Sequence, residues 1–225
     1  MEIHKPKAAH SLREFLVEIA TITCGILIAL GLEQAVEAFH WEEAVSKARL
    51  ALHREILGDD LYLAERVAVA GCMDRHMAEV DALIAKVART GMTSQVSGVA
   101  GHLGRGFQTE ERQAQEAAQV LVHFPVPERR TMELYYQLIE DMKGWNSEEL
   151  DIWSDLSVLD GPPKRFSVSD LTLLRMRLAR ARRLEYLWVR NARINLQLTQ
   201  DLGLTPPKAP ASFVDEVCEG HVQEG

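Results

Sequence analysis

The residues with the clearest chemistry open to them are two cysteines far apart in the chain, Cys72 and Cys218. In an oxidising compartment such a pair can join as a disulfide. The bridge would close a loop of about 146 residues, a constraint worth ~4–5 kcal/mol by chain entropy. The alternative is two unpaired thiols, one of them in the core. Cys24 is the third cysteine. No C-x-x-C spacing occurs among the three, so neither a zinc site nor a thioredoxin-type dithiol is indicated.

A second constellation is polar. Asn146 and Glu149 interrupt one apolar seam, and Asn191 interrupts another. Buried polar groups are costly unless paired. Two readings follow: a registry device, as a core Asn is in coiled coils, or a ligand pocket. Antiparallel packing about the 160–167 turn sets Glu149 near Leu178 and Asn146 near Ala181. Arg175 or Arg182 is then expected to reach Glu149.

Other chemistry is thin. The eight histidines are scattered, with neither H-E-x-x-H nor an i,i+4 pair. "GHLGRG" (101–106) has glycines but lacks the P-loop Lys-Ser/Thr and a preceding strand. No serine sits in a G-x-S-x-G elbow. The expectation is no enzyme, no metal and no cofactor. Seven arginines between Arg175 and Arg193 suggest an anion-binding face, but the net charge is −8. Pairing with acidic helices is the simpler reading, and no nucleic-acid partner is expected.

The elements that hold these residues begin with "EIATITCGILIALGLE" (18–33). The apolar run 15–36 would reach roughly 33 Å as a helix, enough to cross a bilayer core of about 30 Å. Ten strong apolar residues favour insertion by about 3–6 kcal/mol, and the edge glutamates take back part of that. Lys5, Lys7 and Arg13 precede the run, whereas no Lys or Arg follows it until Lys47 and Arg49. This asymmetry favours a cytoplasmic N-terminus. On a helical wheel Glu18, Thr21, Gly25, Ala29 and Glu33 share one side in small-xxx-small spacing. That face is expected to pack on a second copy or a protein partner. The alternative is a soluble all-α regulatory or ligand-binding protein with this helix in its core.

"REFLVEIATITCGILIALGLEQAVEAFHW" resembles the N-terminal signature of a family of uncharacterised bacterial proteins carrying a domain of unknown function. The residues that carry the likeness are Glu18-Ile19, Gly25 to Leu30, and Trp41-Glu42-Glu43. The resemblance implies a single span followed by a helical domain, and it implies no activity. Cys24 departs from the usual aliphatic residue. Beyond these thirty or so positions the likeness is general.

Downstream, apolar residues recur in steps of three and four from Trp41 to Val87, through Leu52, Ile56, Leu63, Met73, Met77, Val80 and Ile84. This is a sustained helical period with coiled-coil-like packing. Gly58-Asp59-Asp60 and Gly71 are the expected points of bending or breakage. Residues 91–107 read as a glycine-rich loop, followed by a short helix capped by Thr109. Two long helices follow, at 128–159 and from a Ser167/Asp170 capping box to about 202. The expected fold is all-α. An N-terminal transmembrane helix continues into a long helix, which packs with a C-terminal hairpin as an antiparallel bundle. The expected division is a short cytoplasmic tail (1–14), the transmembrane helix (15–36), a helical bundle (37–205) and a C-terminal tail (206–225). The expected setting is a bacterial inner membrane with a periplasmic helical domain, serving a structural or protein-interaction role in the envelope.

Overall fold

The computed structural model describes residues 12–101 and 103–225. Most of the predicted tail 1–14, with Lys5 and Lys7, lies outside the described residues. The chain divides into two compact units, residues 1–48 and 49–225. Helix α1 (Leu12–Thr90) supplies the described part of the first unit and continues into the second. In the first unit every side chain from Leu12 to His40 is exposed. This includes Phe15, Ile19, Ile22, Ile26, Leu27 and Leu30.

The second unit is an all-α bundle in which α1 packs against α3 (Val126–Leu156) and α4 (Val168–Asp201). Its core joins Leu52, Ile56, Leu63, Met77 and Ile84 of α1 to Tyr135, Ile139, Met142 and Leu156 of α3. Leu174, Leu178, Leu184 and Trp188 complete it from α4. The α3–α4 hairpin is antiparallel: Arg177 reaches Asp155 at 2.7 Å near the turn, and Asn195 Nδ2 donates to the Tyr135 carbonyl at the far end. The capping box forms at the start of α4, with the Asp170 amide donating to Ser167 Oγ and the Ser167 amide to Asp170 Oδ2.

Three local expectations are corrected. Helix α1 does not break at Gly58-Asp59-Asp60 or at Gly71. A helical glycine costs only about 1 kcal/mol against alanine, and Asp59 and Asp60 are buried within the bundle. The loop after α1 is not free of strands. Val96–Ser97 (β1) pairs antiparallel with Gln223–Glu224 (β2), and Val96 also exchanges backbone hydrogen bonds with Gly161. The segment read as a tail therefore folds as helix α5 (Ala211–Glu219) and β2. Gly98, at φ +84°, lets it approach, since a Cβ there would lie 2.6 Å from the His221 carbonyl oxygen.

Helix α2 (Glu110–Ala117) is not capped by the Thr109 hydroxyl. That oxygen instead accepts from Lys143 Nζ at 3.0 Å and Gln113 Nε2 at 3.2 Å. The cap comes from α1. The Glu111 amide donates to Glu55 Oε2 at 2.7 Å and the Arg112 amide to Oε1 at 3.3 Å. The buried Tyr136 hydroxyl donates to the same Oε1 at 2.8 Å. One carboxylate thus ties α2 and α3 to α1. Glu55→Ala removes the cap and leaves a buried hydroxyl unpaired, so a loss of roughly 2–4 kcal/mol is expected. Urea unfolding followed by circular dichroism measures it.

Candidate functional site

The polar residues of the second unit form a spine through the bundle. Arg66 of α1 is 6% exposed. Its Nη1 donates to Glu149 Oε2 at 3.1 Å and its Nη2 to Oε1 at 2.6 Å, a bidentate pair with α3. Nη2 also reaches Glu185 Oε2 on α4. The guanidinium lies over the Trp188 ring, 5.2 Å from its centroid. Burial works against the Arg66 charge, but the two carboxylates outweigh it and raise its pKa. Glu185 is pushed up by burial, which Arg66 opposes.

The expected partners of Glu149 are therefore corrected. Neither Arg175 nor Arg182 holds it. The two-helix reading took no account of α1, which delivers Arg66 between the hairpin helices. Arg182 donates instead to Asp81 on α1 at 2.9 Å. Asn146 is half-buried and faces elsewhere, donating from Nδ2 to the Arg105 carbonyl at 2.7 Å. Asn191 is buried on α4. No hydrogen bond joins Asn146, Glu149 and Asn191 to one another among the described residues. Of the arginine-rich face, Arg177, Arg180 and Arg182 pair with Asp155, Glu148 and Asp81.

Nearer the start of the second unit lies an acidic pair that sequence reasoning missed. Asp59 accepts from the Gln108 amide at 3.0 Å, and Asp60 accepts from the Tyr135 hydroxyl at 3.1 Å. Each has a second oxygen without a hydrogen-bond partner. Burial raises Asp59 to about 7, against the Gln108 hydrogen bond and with help from the Glu55, Asp60 and Glu110 charges. Burial raises Asp60 to about 6, opposed by the nearby hydroxyls of Thr199 and Tyr135. Raised carboxyls are often acid–base catalysts, but these are 1% and 0% exposed, so a substrate has no approach to them. They read as part of the core.

Cys72 on α1 and Cys218 on α5 are joined as a disulfide, with Cα atoms 5.1 Å apart. No residue of α5 is buried. The C-terminal segment is otherwise held by polar contacts, such as the Val222 amide and His221 Nδ1 on Glu79, each at 3.1 Å. Between α5 and the 97–105 loop lies a cavity of about 550 Å³ lined by His76, Arg105 and Phe213. Its cation is already engaged, since Arg105 pairs with Glu65 at 3.0 Å and lies over the Phe213 ring. His76 Nε2 bonds to the Val99 carbonyl at 3.0 Å. Among the described residues no group of three His, Cys, Asp or Glu side chains is placed to hold a metal ion.

The stripe Glu18, Thr21, Gly25, Ala29 and Glu33 lies on α1 in the first unit, with all five exposed. The Thr21 hydroxyl donates to the Val17 carbonyl at 2.9 Å. A Cβ on Gly25 would meet nothing within 4 Å. Comparison with protein-family models, curated proteins and solved structures finds no match to this chain.

The acidic pair has a measurable consequence. An unfolded chain holds these protons at the ordinary 3.8, the folded chain at about 7 and about 6. The stability they contribute is full below about pH 4. It declines as pH rises from about 4, where the unfolded state releases protons that the folded state still holds, and is gone once pH passes the folded values of about 6 and about 7. Asp59→Asn keeps the acceptor for Gln108 and does not titrate. Its Tm minus that of the parent should therefore be larger at pH 8 than at pH 5, by roughly 2–4 °C for each kcal/mol recovered. Thermal melts at the two pH values decide it.

Proposed function

We propose that this chain is a single-span bacterial inner-membrane protein with a cytoplasmic N-terminus, whose helical unit serves on the outer side as an anchored protein-interaction module. The observation that carries this reading is the exposure of the 15–36 run. Its large apolar side chains are all exposed in the structure, and an apolar helix uncovered on every side is stable in lipid and not in water. A soluble protein with this helix in its core would need the same side chains buried. Two further features support the reading. The Cys72–Cys218 pair suits an oxidising compartment outside the cytoplasm. The resemblance of 13–43 to the N-terminal signature of a bacterial family also suits a single span.

The face that meets company in the membrane is Glu18, Thr21, Gly25, Ala29 and Glu33. Small residues allow close helix approach in lipid, and intramembrane carboxylates face protein. The partner on this reading is a second copy or another single span.

Carbonate-washed membranes should retain the protein. The free, exposed Cys24 should resist an impermeant maleimide in intact vesicles and react after solubilisation in SDS. The same preparation should migrate differently on reducing and non-reducing gels. Recovery of native protein in the soluble fraction, with Cys24 freely labelled, overturns the reading. Gly25→Leu and Ala29→Leu should each weaken self-association in a membrane two-hybrid assay. Unchanged signals remove the stripe from the interface.

A further inference from the structure

A cleft formed by α2, the 3₁₀ turn Val120–His123 and the start of α3 has a volume of about 580 Å³. That is within the range of small-molecule pockets. Its floor is apolar and closed, made by the buried Leu52, Met132 and Tyr136.

Two charges on α2 line the cleft, Arg112 and Glu116. They stand one turn apart, about 6 Å along the helix, in the weaker order for an ion pair. Among the described residues Arg112 makes no ion pair and Glu116 has no cationic partner. The Arg112 guanidinium lies over the Tyr136 ring, 5.3 Å from its centroid. A cation–π contact of this kind uses no N–H donor in an ion pair, so the guanidinium's donors stay open to an anion. Tyr136 is itself held through its hydroxyl by Glu55, so the platform under the guanidinium is fixed. The other two charges of the cleft, Arg129 and Glu133, pair with each other at 3.6 Å.

An independent observation concerns the backbone. Gln119 lines the cleft at φ +58°, the one positive-φ residue other than glycine among the described residues. It follows the C-cap of α2, where a left-handed residue is usually glycine. A left-handed backbone is uncommon for a residue that carries a side chain, and such residues cluster at ligand clamps.

We infer that this cleft binds a small zwitterion with an apolar body, its anionic end on Arg112, its cationic end on Glu116 and its body over Leu52, Met132 and Tyr136. Two sources share this chemistry: a short apolar peptide with free ends, and a single-chain lipid with an ethanolamine phosphate head.

The test uses the full chain in nanodiscs of anionic phosphatidylglycerol, with empty nanodiscs as the blank. Leucyl-leucine and lysophosphatidylethanolamine are each titrated by calorimetry. The matched controls carry one charge: N-acetyl-leucine, leucinamide and lysophosphatidylglycerol. One zwitterion should bind roughly tenfold or more tighter than its singly charged controls, and Arg112→Gln and Glu116→Gln should each lose roughly that factor. The zwitterion that binds names the source. The inference is overturned if neither binds, if a singly charged control binds as well, or if either folded variant binds as tightly as the parent. Should Arg112→Gln fail to fold, Glu116→Gln, at an exposed position, and the singly charged controls carry the test.

Discussion

One guanidinium holds three helices to a common register. Arg66 projects from α1 between α3 and α4 and is claimed by a carboxylate from each. Taking an arginine and two glutamates out of water costs several kcal/mol for each ion, and the attraction among them returns that only when the geometry is good. Replacing a buried ion triad by apolar residues of the same volume often leaves a protein as stable or more so. The triad does something apolar packing cannot. A slide of one helical turn in any of the three helices would leave a charge buried without a partner, which is far more costly than a poor van der Waals fit. The stripe on α1 is long and repetitive, so neighbouring registers would otherwise be close in energy. The triad separates them.

The same economy recurs at Glu55 and at the Asp59/Asp60 pair. In each case α1 sends a carboxylate inward, and it meets donors from a different element: the amides opening α2, the Gln108 amide, or tyrosine hydroxyls of α3. The long helix is therefore more than a hydrophobic post. It carries the polar addresses that position α2 and the loop before it. The acceptors sit within a few residues of one another, so α2 is docked as a unit against Tyr136. The floor of the cleft and its stacked arginine come from that docking.

The all-α bundle was legible because period alone reports it. Apolar residues at steps of three and four, the Ser167/Asp170 box and the "DGPP" turn mark the three long helices. The inward-facing charges were not legible. Glu55, Asp59, Glu65 and Arg66 have the residue types of a solvated face, and a periodicity count that follows only apolar residues passes over them. The apolar frame on α4 also drifts. Beyond Leu184 the buried positions are Glu185, Trp188, Asn191, Ala192, Asn195 and Thr199, while Ile194 and Leu198 are only half-buried. A helix of 3.6 residues per turn moves off a strict heptad, and the polar residues of the true stripe hid that drift. Arg112 and Glu116 offered no signal either. An unpaired i,i+4 charge couple looks like any surface helix until Tyr136 is known to lie beneath it. The C-terminal segment was missed for a simpler reason: its two-residue strand gains meaning only opposite Val96–Ser97.

The Cys72–Cys218 bond also changes what kind of object the chain is. With a sequence separation of 146 residues, it turns α2, α3 and α4 into parts of a closed covalent ring, and the segment before Cys72 becomes a stem attached to that ring. A single peptide-bond cut anywhere between the two cysteines opens the ring without releasing a fragment. Both pieces stay attached to the stem. In surroundings rich in proteases, the unit can be nicked once in its exposed loops and still remain one molecule.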